Sequence, residues 1–152
     1  MSGCLLDVNV WVAAAFELHP AHRTAQALLV NGFTTSPALF CHATQQSFLS
    51  LVSTPTISRA YGVGVLSNRD ALAALAAFQS LPQVEWIDEP LDLEALWWSM
   101  AGMKEAAPKR WMDAYLAAFA IRTSTQLVTL DQDFRQFLGA GLDLRLLGVD
   151  AS

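Results

Sequence analysis

The stretch CLLDVNVWVAAAF (residues 4–16) places one carboxylate, Asp7, between two apolar runs. The first run, residues 4–6, is typical of a short strand in a parallel sheet that is buried on both faces. The second run, residues 10–16, predicts a helix for which Asn9 is a suitable N-cap. A carboxylate between buried segments is costly unless it has a partner. Asp7 is therefore a candidate site residue at the end of the first strand.

Strands and helices alternate from this stretch to the end of the chain. Four further strands are predicted, at residues 33–36, 84–87, 126–130 and 144–147. Helices are predicted at residues 10–18, 19–32, 37–54, 69–81, 91–106, 111–124 and 131–138. Residues 54–68 resemble a loop, and residues 107–110 interrupt the helical pattern. The alternation predicts an α/β sandwich, a mostly parallel sheet flanked by helices.

Length and composition narrow the class of protein. A chain of 152 residues with 15% charged residues is most simply one folded domain, residues 1–152. The net charge of −5 offers no broad cationic face for a nucleic acid, so any phosphate would need a local positive charge. The apolar runs are too short to span a bilayer, and Cys4 and Cys41 suit reduced thiols. We therefore expect a soluble, cytoplasmic protein without a membrane partner.

Two acids fall where a site of an open parallel sheet is expected, outside the carboxyl ends of the strands. Asp7 and Asp131 each follow a strand, and Asp133 comes two residues after Asp131. Asp113 lies early in a helix whose other faces are apolar. Each acid alone also has a structural interpretation: Asp131 as an N-cap, Asp113 as a partner of the helix dipole, and Asp133 as a solvated acid. The joint pattern favours a site.

A divalent cation would explain why these acids occur together. Clustered carboxylates repel one another, and each raises the pKa of its neighbours. Ligands that are all oxygen suit Mg²⁺ or Mn²⁺ better than Zn²⁺. Such an ion also supplies positive charge and can activate water against a phosphodiester. The sequence therefore predicts a Mg²⁺ or Mn²⁺ site built from three or four of these acids.

Four motifs in this order resemble the PIN-domain ribonucleases, specifically the VapC-type toxins of bacterial toxin–antitoxin pairs. They are LLDVNVWVA (5–13), HPAHRTAQAL (19–28), WMDAYLAAFA (111–120) and LVTLDQDF (127–134). The resemblance covers nearly the whole chain. It implies a three-layer PIN-like sandwich with a parallel sheet of about five strands. It also implies a Mg²⁺- or Mn²⁺-dependent endoribonuclease that cleaves RNA, forms a homodimer and is inhibited by a cognate antitoxin protein.

The resemblance also assigns residues. Asp7 matches the first acid of the family, Asp113 its helix acid and Asp131 its strand-end acid. Thr129 matches a hydroxyl position beside the site, and Asn9 matches a polar position two residues after the first acid. These assignments make the three aspartates the predicted catalytic residues. Asp133 is predicted to contribute in a lesser or outer position.

One departure leaves an alternative function open. The family usually has a Glu in the helix after the second strand, whereas residues 41–52 contain no acid. Gln45 is the best candidate for the corresponding place, and Gln46 lies one residue off. A PIN fold that has lost hydrolysis and binds RNA or protein is therefore one alternative, and a DNA-directed nuclease is another. Lys109 and Arg110, just before Asp113, are either a solvated pair or guides for an RNA phosphate. We expect them to guide the phosphate.

Overall fold

The computed structural model describes residues 3–33 and 35–151. The strands in this part of the chain are β1 (Cys4–Leu6), β2 (Ala38–Phe40), β3 (Val84–Trp86), β4 (Gln126–Thr129) and β5 (Leu144–Leu146). They form one sheet in the order β3-β2-β1-β4-β5, and every neighbouring pair is parallel. The chain runs outward from β1 to β3, crosses back to β4 beside β1, and then ends at β5. The strand order therefore reverses between β1 and β4.

Helices cover both faces of the sheet. They are α1 (Val8–Ala15), α2 (His22–Asn31), α3 (His42–Val52), α4 (Pro55–Ala60), α5 (Asn68–Gln79), α6 (Leu93–Ala101), α7 (Pro108–Thr123) and a 3₁₀ helix (Gln132–Ala140). One buried cluster joins the sheet to α1, α2, α3 and α5, and the other joins it to α6, α7 and the 3₁₀ helix. The predicted three-layer α/β sandwich with a parallel sheet of five strands is confirmed.

The continuous apolar character of the strands follows from this layered arrangement. Successive side chains of a strand point to opposite faces of a sheet. Leu5 and Leu6 are both fully buried, but Leu5 belongs to one cluster and Leu6 to the other. In β4, Leu127 and Val128 divide in the same way. Each central strand is therefore covered on both faces, as its sequence predicts.

An aromatic stack holds α1 against the sheet next to Asp7. The rings of Trp11 in α1 and Phe40 in β2 lie 3.8 Å apart at an angle of 11°, and both are buried. Phe48 of α3 meets Phe40 edge-on, with ring centroids 6.2 Å apart. These contacts add to the area that the rings bury. They fix the first turns of α1, and so the position of the acid that precedes it.

The predictions for residues 33–54 are partly wrong. The second strand was predicted at residues 33–36. Of these, Thr34 lies outside the described residues, and the other three are not in a strand. The second strand is instead β2, at the beginning of the segment that was predicted to be helix. Ala38–Phe40 is a buried apolar run that pairs with both β1 and β3. The strand pairing on both sides stabilises it more than the helical spacing of its apolar residues would stabilise a helix. The helix α3 begins only after Cys41, whose N–H donates to the hydroxyl oxygen of Thr44 at 3.1 Å.

Two further local predictions need correction. Residues 54–68 contain a short helix, α4, which begins with Pro55. Residues 107–110 do not break a helix, because α7 begins at Pro108 and includes Lys109 and Arg110. Proline suits the first turn of a helix, where its missing N–H needs no partner. In the part of the chain that the structure describes, no helix is long and apolar enough to cross a membrane.

Candidate active site

The first and fourth strands end side by side at the carboxyl edge of the sheet. Asp7 directly follows β1, and its N–H donates to the Val128 carbonyl of β4 at 2.9 Å. Asp131 lies two residues beyond the end of β4. Sites in open α/β sheets form at this kind of edge, where the strand order reverses. The sequence-predicted acids Asp7 and Asp131 therefore meet at the expected place.

The buried hydroxyl of Thr129 ties these two segments together. It donates to Asp7 Oδ2 at 2.8 Å and accepts from Asn9 Nδ2 at 3.2 Å and from the Asp131 N–H at 3.0 Å. Asn9 Oδ1 in turn accepts from the Leu130 N–H at 3.2 Å. A hydroxyl has one proton and two lone pairs, and Thr129 uses all three. Thr129 and Asn9 thus position the site, although Thr129 itself is fully buried.

Removing this hydroxyl should destabilise the protein. We expect Thr129→Val to lower the free energy of unfolding by about 2 kcal/mol or more, because the partners of a buried hydroxyl lose their hydrogen bonds. Thr129→Ser keeps the hydroxyl and loses one methyl group, for which we expect a cost of about 1 kcal/mol. Urea unfolding of both variants, with EDTA present, measures the difference. Equal costs would show that the methyl group, and not the hydroxyl, is what matters at this position.

Asp7 carries an electrostatic cost in this position. Its Oδ1 accepts from the Val8 N–H at 2.7 Å, which makes it the N-cap of α1. Burial raises the pKa of the carboxyl to about 6, although the hydrogen bonds from Thr129 and Val8 oppose the rise. The nearby charges of Asp113 and Asp131 raise it further. A cation at this edge would remove much of this cost.

Asp113 and Asp131 complete the acidic edge. Asp113 projects from the second turn of α7, with its side chain 14% exposed, and burial raises its pKa in spite of the nearby Lys109. Asp131 caps the 3₁₀ helix and accepts from the Asp133 N–H at 2.9 Å. Burial alone would raise the pKa of Asp131, but hydrogen bonds from Lys109 and from the Asp133 N–H hold it below its ordinary value. The N-cap interpretation of Asp131 is thus correct, and it is compatible with a place in the site.

Lys109 connects three of these acids. Its Nζ lies 2.9 Å from Asp131 Oδ2, 2.9 Å from Asp133 Oδ2 and 3.5 Å from Asp113 Oδ2. Hydrogen bonds to Asp131 and Asp133 raise the pKa of the ammonium group above its ordinary value. Asp7 does not take part in these contacts. Lys109 is therefore an ion-pair centre next to the candidate site as well as a predicted RNA contact.

The donor chemistry of this edge fits a hard divalent cation. Among residues 3–33 and 35–151, no three His, Cys, Asp or Glu side chains are gathered closely enough to hold an ion as they stand. The acids nevertheless influence one another's pKa values, and the cluster already attracts the ammonium of Lys109. Carboxylate and hydroxyl oxygens are ligands that Mg²⁺ and Mn²⁺ prefer. Asp7, Asp113 and Asp131 are the residues that could hold such an ion.

Gln45 does not face this edge as directly as its neighbours do. It lies in the first turn of α3 and is partly buried, but the cleft beside Asp7 is lined by Ala43, Thr44 and Ser47 of that helix. Thr44 is buried, and its hydroxyl donates to the Cys41 carbonyl at 3.1 Å. A role for Gln45 beside a metal ion remains a prediction.

Arg110 is held by structural contacts. Its Nε donates to the Met100 carbonyl at 2.7 Å, its NH1 donates to Gln136, and its guanidinium lies 5.0 Å from the centre of the Phe137 ring. These contacts join α7 to α6 and to the 3₁₀ helix. Of the two cations predicted to contact RNA, Lys109 is the one that faces the acidic edge. The RNA contact of Arg110 remains a prediction.

An apolar cleft adjoins the acids, and the sequence did not predict it. It has a volume of about 450 Å³ and is lined by Asp7, Asp113 and Lys109 together with mainly apolar side chains. Among these, Trp111 is 48% exposed and Met112 is 70% exposed. Both residues come just before Asp113, at the exposed start of a helix that is otherwise largely buried. This pair of apolar residues was the one feature of the sequence that could have indicated the cleft. The cleft gives the acidic edge an apolar wall.

Comparison with known proteins points to the same family that the four sequence motifs resemble. A model of the PIN-domain family matches residues 4–138. The chain is also 44% identical over 144 residues to ribonuclease VapC41 of Mycobacterium tuberculosis, from strains CDC 1551 and H37Rv. That match covers 94% of this chain and 97% of VapC41. The resemblance to VapC-type proteins that the four motifs indicate is confirmed.

Solved structures agree on the fold. VapC20 of Mycobacterium tuberculosis, a sarcin–ricin loop cleaving toxin, superposes with a TM-score of 0.61 at 21% identity, over 92% of this chain and 96% of that one. DNA-bound VapBC of Salmonella typhimurium superposes with a TM-score of 0.63 at 16% identity, over 95% and 98%. These structures support the fold, and the family model and the relative identify the family. The chain belongs to the PIN-domain family.

Proposed function

We propose that this chain is a divalent-metal-dependent endoribonuclease that acts in the cytoplasm as the toxin of a toxin–antitoxin pair. The observation that carries the proposal is that Asp7, Asp113 and Asp131 lie near enough to one another, beside the carboxyl ends of β1 and β4 in a PIN-domain chain, for Asp113 and Asp131 to raise the pKa of Asp7. The 44% identity to a ribonuclease over nearly its full length supports it. Ribonucleases of this type generally depend on a divalent metal.

The proposed roles follow from the geometry. Asp7, Asp113 and Asp131 would hold the ion, and Thr129 keeps the Asp7 carboxylate oriented through its 2.8 Å hydrogen bond. When bound, Mg²⁺ or Mn²⁺ would polarise a phosphate oxygen and lower the pKa of a water molecule. Asn9 holds the segment after β4 in place through the Leu130 N–H. The chain thus contributes a prearranged set of oxygens and a fixed strand edge.

Substrate contacts are proposed for the residues around the acids. Lys109 supplies a positive charge beside the site in a chain of net charge −5, which suits an RNA phosphate. Asp133 is 65% exposed and stands outside the three acids, so we assign it an outer role. Gln45 carries no charge and is proposed as a polar neighbour and not as a metal ligand.

The proposed partners are a cognate antitoxin and a second copy of the chain. The cleft beside the acids, with exposed Trp111 and Met112, offers an apolar surface that an antitoxin segment could cover. An arginine from the same segment could pair with the carboxylates. Light scattering tests the homodimer, because a mass equal to one 16.5 kDa chain at micromolar concentration would exclude it.

Metal dependence is the decisive test of the function. We expect purified protein to cut RNA in a mixture of tRNA and total RNA with Mg²⁺ or Mn²⁺, and EDTA to abolish the cuts. Excess Mg²⁺ should restore them, because the carboxylates cannot activate water without the ion. A triple variant, Asp7→Asn, Asp113→Asn and Asp131→Asn, purified in parallel, controls for a contaminating nuclease.

Other outcomes would favour other functions. Metal binding without cleavage of any RNA would favour the binding module that Gln45 leaves open. Cutting of single-stranded DNA in preference to RNA would favour a DNA-directed nuclease. Cutting that persists in EDTA would contradict the metal-dependent mechanism, and equal cutting by the triple variant would show that the activity does not come from these three acids.

A further inference from the structure

The contacts of Lys109 are unusual for a lysine that is 62% exposed. A single exposed ion pair, or a pair four residues apart on a helix, is worth little and rarely holds a lysine in one place. Here the helix partner Asp113 is joined by Asp131 and Asp133 from the segment after β4. Three carboxylates from two elements therefore converge on one ammonium group.

This ammonium group contacts oxygens that the proposed metal would need. Asp131 Oδ2 is 2.9 Å and Asp113 Oδ2 is 3.5 Å from Lys109 Nζ, and both acids belong to the proposed ligand set. Two cations cannot share these oxygens without repelling each other. The ammonium and the metal are therefore expected to compete.

Lys109 is the cation that pairs with these acids in the described residues. In residues 3–33 and 35–151, the ion pairs of Asp113, Asp131 and Asp133 are all with Lys109. Arg110, next in the helix, is turned away towards the Met100 carbonyl and the Phe137 ring. Without Lys109, the acidic edge of the metal-free protein would have no paired positive charge in the described part of the chain.

We propose that Lys109 is a built-in counter-ion of the acidic edge, which it occupies in the metal-free protein and from which a divalent cation displaces it. The inference rests on the proposed metal site and adds a regulation of metal entry. Lys109 lowers the apparent affinity of the site for the ion. In the metal-free protein it also offsets the repulsion between the carboxylates that it contacts. After displacement its side chain is free to meet a phosphate at the same edge.

Metal titration of two lysine variants tests the competition. The chain has only two lysines, Lys104 and Lys109, and Lys104 is exposed and forms no ion pair in the described residues. Lys109→Met and Lys104→Met therefore change the net charge equally. By calorimetry with Mn²⁺ or Mg²⁺, we expect Lys109→Met to bind at least about fivefold more tightly than wild type, and Lys104→Met to bind as wild type does. Equal or weaker binding by Lys109→Met would overturn the inference.

A second measurement needs no substitution at the site. With ¹³C,¹⁵N-lysine labelling, the wild-type protein gives two ε-methylene signals, which Lys104→Met assigns. We expect Mg²⁺ to move the Lys109 signal towards that of Lys104 and to leave the Lys104 signal in place. A Lys109 signal that saturating Mg²⁺ does not move would overturn the displacement.

The two proposals fail in distinguishable ways. If wild type and Lys109→Met both bind no Mg²⁺ or Mn²⁺, the metal-dependent function and the counter-ion fail together. If wild type binds metal and cleaves RNA, but Lys109→Met binds no more tightly, only the counter-ion fails. Tight binding by Lys109→Met where wild type binds weakly would support it.

Discussion

Asp113→Asn is expected to lower the rate of RNA cleavage by at least about 100-fold, whereas Asp133→Asn should lower it by about tenfold at most. Both changes remove one negative charge from the group around Lys109. They differ in that the Asp113 side chain is 14% exposed and lines the cleft with Asp7, whereas the Asp133 side chain is 65% exposed. A matched pair therefore separates a metal ligand from a nearby acid.

The measurement is single-turnover cleavage of one RNA substrate at fixed Mg²⁺, with the wild type as reference. Single-turnover rates separate chemistry from product release. Asparagine has nearly the shape of aspartate, and loss of the 3.5 Å contact from Asp113 to Lys109, which is 62% exposed, should cost little stability. Circular dichroism should therefore show both variants folded. Equal losses of rate in the two variants would contradict the assignment of Asp113 as a ligand.

The edge of the sheet was predictable because strand ends are marked in the sequence. Asp7 and Asp131 each follow a buried apolar run, and parallel strands bring their carboxyl ends to one edge. Which strands become neighbours is not encoded in either run. The placement of β4 beside β1 follows from the crossover between them, so the hydrogen bonds of Thr129 to both segments become visible only in the fold.

The role of Lys109 was missed for a local reason. Residues 107–110 look like a break because of Pro108, yet that proline begins α7. Starting the helix there puts Lys109 one turn before Asp113 and within reach of Asp131. A predicted helix start that is three residues too late is harmless for the fold, but here it hides an ion-pair centre.

The apolar cleft could not be predicted because it combines distant elements. Ala43 and Ser47 come from α3, Trp97 from α6 and Met112 from α7. Each of these residues is ordinary within its own helix pattern. Their meeting depends on how α3 and α6 approach across the sheet edge, which no spacing in the sequence reports. For the same reason, the sequence could place Gln45 on α3 but not decide which residues of that helix reach the cleft.

In metal-free protein, Asp7→Asn is expected to raise the free energy of unfolding by about 2–3 kcal/mol at pH 7.5. Burial raises the pKa of Asp7 from 3.8 to about 6, so the folded state holds this proton more tightly than the unfolded state. Wild-type stability must therefore fall, relative to the variant, as pH rises from about 4 to about 6. Asparagine avoids the charge and still serves as an N-cap of α1.

Urea unfolding in EDTA at pH 4, 5, 6 and 7.5 measures this difference. Asp131 has a lowered pKa, so it contributes stability that is lost as the pH falls, which is the opposite of the effect of Asp7. Wild type and Asp7→Asn both contain Asp131, so this contribution cancels in their difference apart from its coupling to Asp7. Glu105→Gln, at an exposed position, controls for the loss of one negative charge. A gap that is absent at pH 7.5, or that grows towards pH 4, would contradict the cost assigned to Asp7.

Adding Mg²⁺ should then reduce the difference in the free energy of unfolding between Asp7→Asn and the wild type, or reverse its sign. An ion that binds only the folded state at 100 times its Kd stabilises it by about 2.7 kcal/mol. Wild type should gain this stabilisation at pH 7.5, and Asp7→Asn should gain much less because it lacks one of the three proposed ligands. If both proteins gained equally, Asp7 would not be a ligand, and its raised pKa would be only a cost of its place in the fold. A gain confined to the wild type would mean that the carboxylate is kept, at the expense of metal-free stability, for the cation.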